Sequence, residues 1–409
     1  MMTVKENKKI WLTAFYGLLV FCFWMFVRPE LVVEREALQL FLWNSDYLVS
    51  RLAVPGGVAR YVGEFLVQFF MSEATGACIL TVTLMSVQWL AWVLLRRCIP
   101  TVKEMWLFAV SFLPSIALCY MLCDIDTSMT LPVAVLLTLG LMALLPSERK
   151  SSLIGSIILV SIGYWIAGPM AILIAVYHLR WLHQPFKKGW VVVESITMVL
   201  LLANCINVSS FYVPYSLSNL AKGIDYVSIQ PGKIGTLEMM EYDYLLRQKA
   251  WGKILQKANG DAPHARACKS VVNLARYYQK QMSPEVLQES MYQPYKSLTS
   301  AVSAMMMGDV FFQMGFVNFS QCSVFEAMES ASNFNKSGRV LCRLTETAIV
   351  TGQYELALKY IAILENTLMY HRWAQYMKQL ATHPEDIKNH PLYGPLQQIY
   401  GETEDTLFI

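Results

Sequence analysis

Long apolar runs, broken by short charged loops, fill the first half of the chain. They cover residues 10–27, 76–95, 104–123, 129–145, 152–182 and 190–208. A helix of about 20 apolar residues spans the hydrocarbon of a bilayer, so the pattern predicts a helical membrane bundle. Beyond about residue 215 the pattern changes to mixed charges, helix formers and regular apolar spacing. That predicts a soluble helical region long enough to bury its own core.

Charges at the loops set the expected topology. Lys5, Lys8 and Lys9 precede the first run, and Arg96, Arg97 and Lys103 follow the second. Asp124 and Asp126 follow the third, and Glu148, Arg149 and Lys150 follow the fourth. Cytoplasmic loops carry an excess of Lys and Arg, so the N-terminus is expected inside. The first run ends in Phe26-Val27-Arg28-Pro29-Glu30, with no small-residue cleavage site, and reads as an uncleaved first helix. Residues 152–182 are too long for one ordinary span. Gly163, Gly168 and Pro169 lie in the middle, and a break there gives a hairpin of two helices of about 15 residues each. Arg180, Lys187 and Lys188 then return to the cytoplasmic side. The expectation is seven spans, N-terminus cytoplasmic and C-terminal region outside, periplasmic in a Gram-negative cell. One tilted helix would instead give six spans and a cytoplasmic C-terminal region. The single cysteines Cys268, Cys322 and Cys342 lean toward a reducing compartment, but the charge pattern agrees at four loops and outweighs them.

The fold class is therefore all-α: a polytopic bundle over 1–210 with an extracytoplasmic loop 28–75, then a soluble helical domain over 211–409. The loop holds DYLVSRLAVPGGVARYVGEFLVQFF, residues 46–70. Glu34, Arg35, Glu36 and Gln39 alternate with apolar residues in an amphipathic pattern. Pro55-Gly56-Gly57 forces a turn. Val58, Tyr61, Val62, Phe65, Leu66 and Phe69 then recur at helical spacing, with Arg60 and Glu64 able to pair at i, i+4. The plain reading is two interfacial helices joined by a turn. The sharper reading is a polar site of Glu34, Glu36, Asp46, Arg60 and Glu64, with Asp124 and Asp126 from the next outer loop. Carboxylates beside an arginine could act as a general base or hold a lipid phosphate.

In the second half, residues 341–364 read LCRLTETAIVTGQYELALKYIAIL. Leu344, Ala348, Gly352, Tyr354, Ala357 and Tyr360 stand where a tetratricopeptide-type helix pair places its packing residues. Gly308, Gly315 and Ala327 fall in the same register one repeat earlier. About three helix pairs stacked as a short solenoid are expected, either offering a surface to a protein partner or only packing on the membrane half. The tail beyond residue 383 is expected to be extended or a cap.

Composition agrees with the two-part reading: of 409 residues, 55% are hydrophobic and 15% charged. The net charge of +3 carries no basic stripe with interleaved aromatics, so no nucleic-acid partner is expected. The nine cysteines are scattered and form no metal set or disulfide framework. No phosphate-binding, dinucleotide, zinc-protease or serine-hydrolase motif occurs, and no cofactor or metal is expected. The spans carry almost no ionisable group, which lowers the case for a coupled transporter. His178 and His183 beside Arg180 read as interfacial.

The stretches QLFLWNSDYLVSRLAVPGGVARYVGEFLVQFFMSEATGA, GYWIAGP and FEAMESASNFNKSGRVLCRLTETAIVTGQYELALKY resemble a family of membrane proteins from Bacteroides-type gut bacteria, a domain of unknown function. The resemblance implies a multi-span inner-membrane protein with a tetratricopeptide-like C-terminal part, and it supplies no catalytic residue. A more distant architectural similarity is to membrane glycosyltransferases of the GT-C architecture, which share an acidic outer first loop. The leading expectation is a membrane scaffold that presents its helical-repeat domain to an envelope protein. The alternative is a lipid-linked glycosyltransferase using Glu34, Glu36 or Asp46 with Arg60. A transporter subunit is a third reading. Oligomeric state has no signature in the sequence.

Overall fold

The structure is a computed structural model describing residues 4–146, 149–183, 188–227, 234–291, 298–330 and 336–402. Among these residues the chain is helical, and the one extended pairing is an isolated bridge between Thr127 and Val227. Two compact units form. Unit 1 holds residues 1–29 and 44–228; unit 2 holds 30–43 and 229–409. The hydropathy change near residue 210 thus falls inside unit 1. A 14-residue piece of the expected outer loop, Glu30–Trp43, belongs to unit 2.

Among the described residues, unit 1 contains five helical stretches long and apolar enough to cross a membrane: Lys8–Val27, Glu73–Cys98, Glu104–Met121, Leu153–Leu182 and Lys188–Ser209. A shorter apolar helix, Thr130–Ala143, packs among them. Large apolar side chains such as Trp11, Phe15, Ile116 and Leu200 face outward, as lipid-facing positions do. The Leu153–Leu182 stretch does not run straight. Gly168 adopts φ +65°, a left-handed backbone that glycine reaches without a Cβ clash, and Gly168–Ala171 forms one 3₁₀ turn. The chain folds back there. A Cβ on Gly163 would lie 3.1 Å from Cδ1 of Ile174. At the open end, Arg180 Nη2 donates to the carbonyl of Pro146 at 3.1 Å. A continuous helix would hold residues 34 apart at about 50 Å, so the expected hairpin is present.

That open end gathers further cations. Lys9 pairs with Glu104 at 2.5 Å, and Arg96 reaches the same carboxylate at 3.5 Å. Arg97 Nη1 donates to Ala143 O at 2.7 Å. The turn end of the hairpin meets the Pro55-Gly56-Gly57 turn instead. Gly56, at φ +77°, donates its N–H to Trp165 O at 2.9 Å, and Trp165 Nε1 donates to Leu52 O at 3.1 Å. A Cβ on Gly56 would press on the Gly168 backbone. The Pro-Gly-Gly sequence is therefore the surface on which the hairpin turn rests.

Unit 2 is built from helix pairs. Ala301–Gln313 packs on Val317–Glu329, and Gly338–Val350 packs on Tyr354–Leu364. The second pair repeats the first 37 residues later, from Ala301 to Gly338 and from Val317 to Tyr354. Gly315 and Gly352 close the two turns at φ +84° and +76°. Gly308, Ala327, Leu344, Ala348 and Ala357 are buried between helices, while Tyr354 and Tyr360 are half-buried at the rim. Ser320 Oγ donates to Gly308 O at 2.7 Å, and a Cβ on Gly308 would strike Val324. Helices Trp251–Gly260 and Arg266–Tyr278 form an earlier pair. The tail is a cap rather than an extended strand: helix Tyr393–Glu402 packs on Gly338–Val350, with Tyr393 in the core.

Helix Pro29–Ala37 was expected to lie on the membrane surface, yet Glu30 through Ala37 are all buried. Its partners explain why. Ser337 Oγ donates to Ala37 O, Trp43 N–H donates to Asn366 O at 2.6 Å, and Leu40 sits in the core with Phe312, Val317 and Leu341. The alternation read as amphipathic is that of a segment threaded into the core of unit 2, where Tyr370 donates to Glu36 and Arg35 Nη1 donates to Leu31 O.

Candidate functional site

The candidate carboxylates fall into both units, each with its own ion cluster. In unit 1, Asn44 caps helix Ser45–Leu52 by accepting from Tyr47 N–H at 2.8 Å. This places Tyr47 and Arg51, one turn apart, toward helix Gly57–Val67. Glu64 accepts from Tyr47 Oη at 2.7 Å and Arg51 Nε at 2.8 Å on one oxygen, and from Arg60 Nε at 3.0 Å on the other. Arg60 also pairs with Asp225, which is fully enclosed. Burial lifts the Asp225 carboxyl to about 6, and Arg60 pulls against that lift. Two guanidiniums face two carboxylates and one phenol, so the cluster balances its own charge. Asp46 lies on the exposed side of its helix. Asp124 is exposed and accepts from the N–H of the half-buried Asp126 at 3.1 Å, an Asx turn of the next loop.

In unit 2, Arg339 grips the fully buried Asp243 with both Nη atoms at 2.7 Å and reaches Asp309 at 2.6 Å. Arg343 holds the other Asp309 oxygen at 2.7 Å, pairs with Glu346 at 2.7 Å and lies 4.0 Å from the Phe312 ring centre. Tyr393 Oη donates to Glu346 at 3.0 Å. Glu34 and Glu36 enter this network from the inserted helix. Tyr370 Oη donates to Glu36 Oε1 at 2.6 Å. Burial raises Glu36 to about 7, against the pull of that hydrogen bond. Burial, and then the Asp243 charge, raise Glu34 to about 8. Burial alone would also raise Asp309, but Arg339 and Arg343 hold it well below the usual carboxylate range. Five carboxyls, Glu34, Glu36, Asp243, Asp309 and Glu346, thus share three guanidiniums with Arg247 included. The upward shifts of Glu34 and Glu36 ease that imbalance, and Glu34 as a neutral acid can donate its proton to Asp243.

Sequence reading identified Glu34, Glu36, Arg60 and Glu64 but missed Asp225, Asp243, Asp309, Arg339 and Arg343. One signal was present. Arg339, Arg343 and Glu346 recur at helical spacing along Gly338–Val350, a helix otherwise rich in apolar packing positions.

The near absence of ionisable groups in the spans needs correction. Glu194, inside Lys188–Ser209, meets His178 of the hairpin at 2.9 Å, with the His178 side chain fully buried. The two are 16 residues apart and meet only because the helices pack. The His178 side chain is therefore enclosed by packed helices, two residues from Arg180 at the open end of the hairpin.

One family model, described as a family of unknown function (DUF6057), matches residues 6–409. Comparison with curated proteins and with solved structures returned no match.

Proposed function

We propose that this chain, which belongs to that family of unknown function, is a scaffold of the bacterial cytoplasmic membrane. Unit 1 anchors it, and unit 2 offers a tetratricopeptide-like stack of helix pairs to a protein partner in the envelope. The observation that carries this reading is the state of the carboxylates. Glu36 and Glu64 are buried and already hold tyrosine or arginine partners, and the buried Glu34 is hydrogen-bonded to Asp243. A general base must reach a substrate proton, whereas these groups hold helices together. The 37-residue recurrence of helix pairs supports a binding surface of the repeat type. The fold-back at Gly168 supports seven passes. The grouping of Lys9, Arg96, Arg97 and Arg180 at one end supports a cytoplasmic N-terminus and an extracytoplasmic unit 2.

The test has two arms on the full chain in its own membrane. Single cysteines at Thr101 and Ser283, in a background without native thiols, are exposed to a membrane-impermeant reagent. Labelling at 283 and protection at 101 is expected; the reverse would move the partner search to the cytoplasm. Photo-crosslinkers at Phe325 and Tyr376 should then recover one and the same protein from both sites. Failure to recover any protein repeatedly sinks the scaffold.

The glycosyltransferase alternative rests on Glu34, Glu36 and Asp46, and unchanged cell-surface glycans in their amide variants would end it. The transporter-subunit reading gains one observation, the His178–Glu194 pair, since paired ionisable residues inside spans mark ion or substrate paths.

A further inference from the structure

Between Arg247 and Lys280 the chain carries eight basic residues and one acidic residue, Asp261. That excess of seven exceeds the net +3 of the whole protein. The structure arranges part of it as a stripe. Arg266, Lys269, Asn273 and Arg276 follow one another at steps of three and four, the spacing of one face of helix Arg266–Tyr278, and Lys280 follows just past its end. The four cations are exposed, and among the described residues none of them has a carboxylate at ion-pair distance. This sets them apart from Lys257, which is neutralised by Glu241 at 2.5 Å. Lys253 and Lys249 add exposed charge on the preceding helix and its approach.

Aromatic rings border the stripe. Tyr277 and Tyr278 are exposed, with Trp251 stacked on Tyr278 at 4.5 Å and 11°. The two tyrosines and Lys280 line an open groove of about 620 Å³ that runs on to Ser283. Lys249 and Lys280 also sit just past helix ends at φ +52° and +58°. Glycine is the usual occupant of that backbone, so the chain keeps a cation there where glycine would cost less.

We propose that this face of unit 2 binds the anionic headgroups of a phospholipid bilayer, the four cations meeting phosphates and the tyrosines entering the headgroup layer. The commitment to lipid rests on two facts. The charge is of one sign and unneutralised, which suits a polyanionic surface. The same chain carries five helices fit to cross a membrane, so a bilayer is the polyanion to which this face is tethered at high effective concentration. Exposed tyrosine beside lysine and arginine is also the composition of a membrane-interface contact. The inference is independent of the scaffold reading.

The test uses the full chain held in nanodiscs of neutral phosphatidylcholine and measures co-sedimentation with added vesicles. Vesicles with 30% phosphatidylglycerol should pull the protein down, while phosphatidylcholine vesicles and empty nanodiscs should not. Raising salt to 0.5 M should release it, and 10 mM inorganic phosphate should not. Each interfacial cation contributes roughly fivefold in affinity. The variant Arg266→Gln, Lys269→Gln, Arg276→Gln and Lys280→Asn should therefore bind roughly 600-fold more weakly. All four positions are exposed, so its melting temperature should match the wild type. Tyr277→Ala should lose a smaller, salt-insensitive part. Equal binding to neutral vesicles, or undiminished binding by the charge variant, overturns the proposal. So does tighter binding to single-stranded DNA or heparin than to anionic vesicles, which would assign the stripe to another polyanion.

Discussion

Glu36 and Asp309 respond to pH in opposite directions within one core. The folded-state acidity of Glu36 is shifted up from 4.5 to about 7, chiefly by burial. The native state therefore favours the protonated form. Its stabilising contribution is complete below about pH 4.5 and is lost as pH rises to about 7. Asp309 is shifted down by Arg339 and Arg343. Its contribution is present above its ordinary value of 3.8 and is lost as acid protonates it. Substituting Glu36→Gln keeps the oxygen that accepts from Tyr370 and fixes the neutral form. Thermal melts of the detergent-solubilised protein should then show Glu36→Gln more stable than the wild type at pH 8, on the order of 2–3 kcal/mol. The gap should close below about pH 4.5. A variant less stable than wild type at pH 8 would mean that the fold favours the ionised form of Glu36 and that its charge is used.

At the scale of elements, two glycine-dependent contacts decide the packing. Gly168 lets the apolar hairpin turn, and Gly308 lets two helices of a pair touch. A Cβ at Gly308 would stand 2.4 Å from Cγ1 of Val324. Gly308→Ala should cost about 1–3 kcal/mol by overpacking, and Val324→Ala added to it should recover most of that loss. A double-mutant cycle on Tm checks this, and additive losses would mean that the clash is relieved elsewhere. Both contacts were legible beforehand. Gly163, Gly168 and Pro169 interrupt a run too long for one span, and Gly315 and Gly352 mark equivalent turns. The ion pairs were not legible, because Asp243–Arg339 and Asp309–Arg339 join residues 96 and 30 apart with no local period to announce them. The cationic stripe escaped for another reason. Its members are diluted three and four apart along the sequence and become a row only once the helix is wound.

Across the whole molecule, the chain passes between the units at residues 29–30, 43–44 and 228–229, so no single cut separates them. Hydropathy divides the chain once, near residue 210, because it reports on solvent preference and not on which segments share a core. Glu30–Trp43 is polar enough to read as a loop, but its helix is buried inside unit 2, with Glu36 accepting from Tyr370. A fragment of residues 229–409 would lack that helix. Tyr370 would lose its acceptor Glu36, Ser337 would lose Ala37 O, and the core would lose Leu40. Arg339 would keep Asp243 but lose the inserted acid beside it. Opening a core and removing partners from buried polar groups each cost about 1–3 kcal/mol per site, and a domain has only about 5–15 kcal/mol in hand. The fragment alone is therefore expected to aggregate or to elute as an expanded species in size-exclusion chromatography. The same fragment fused through a flexible linker to residues 29–44 should elute as a compact monomer with a cooperative melt. Equal behaviour of the two would show that the inserted helix is a passenger on unit 2, and that Glu34 and Glu36 have been brought there for something other than its folding.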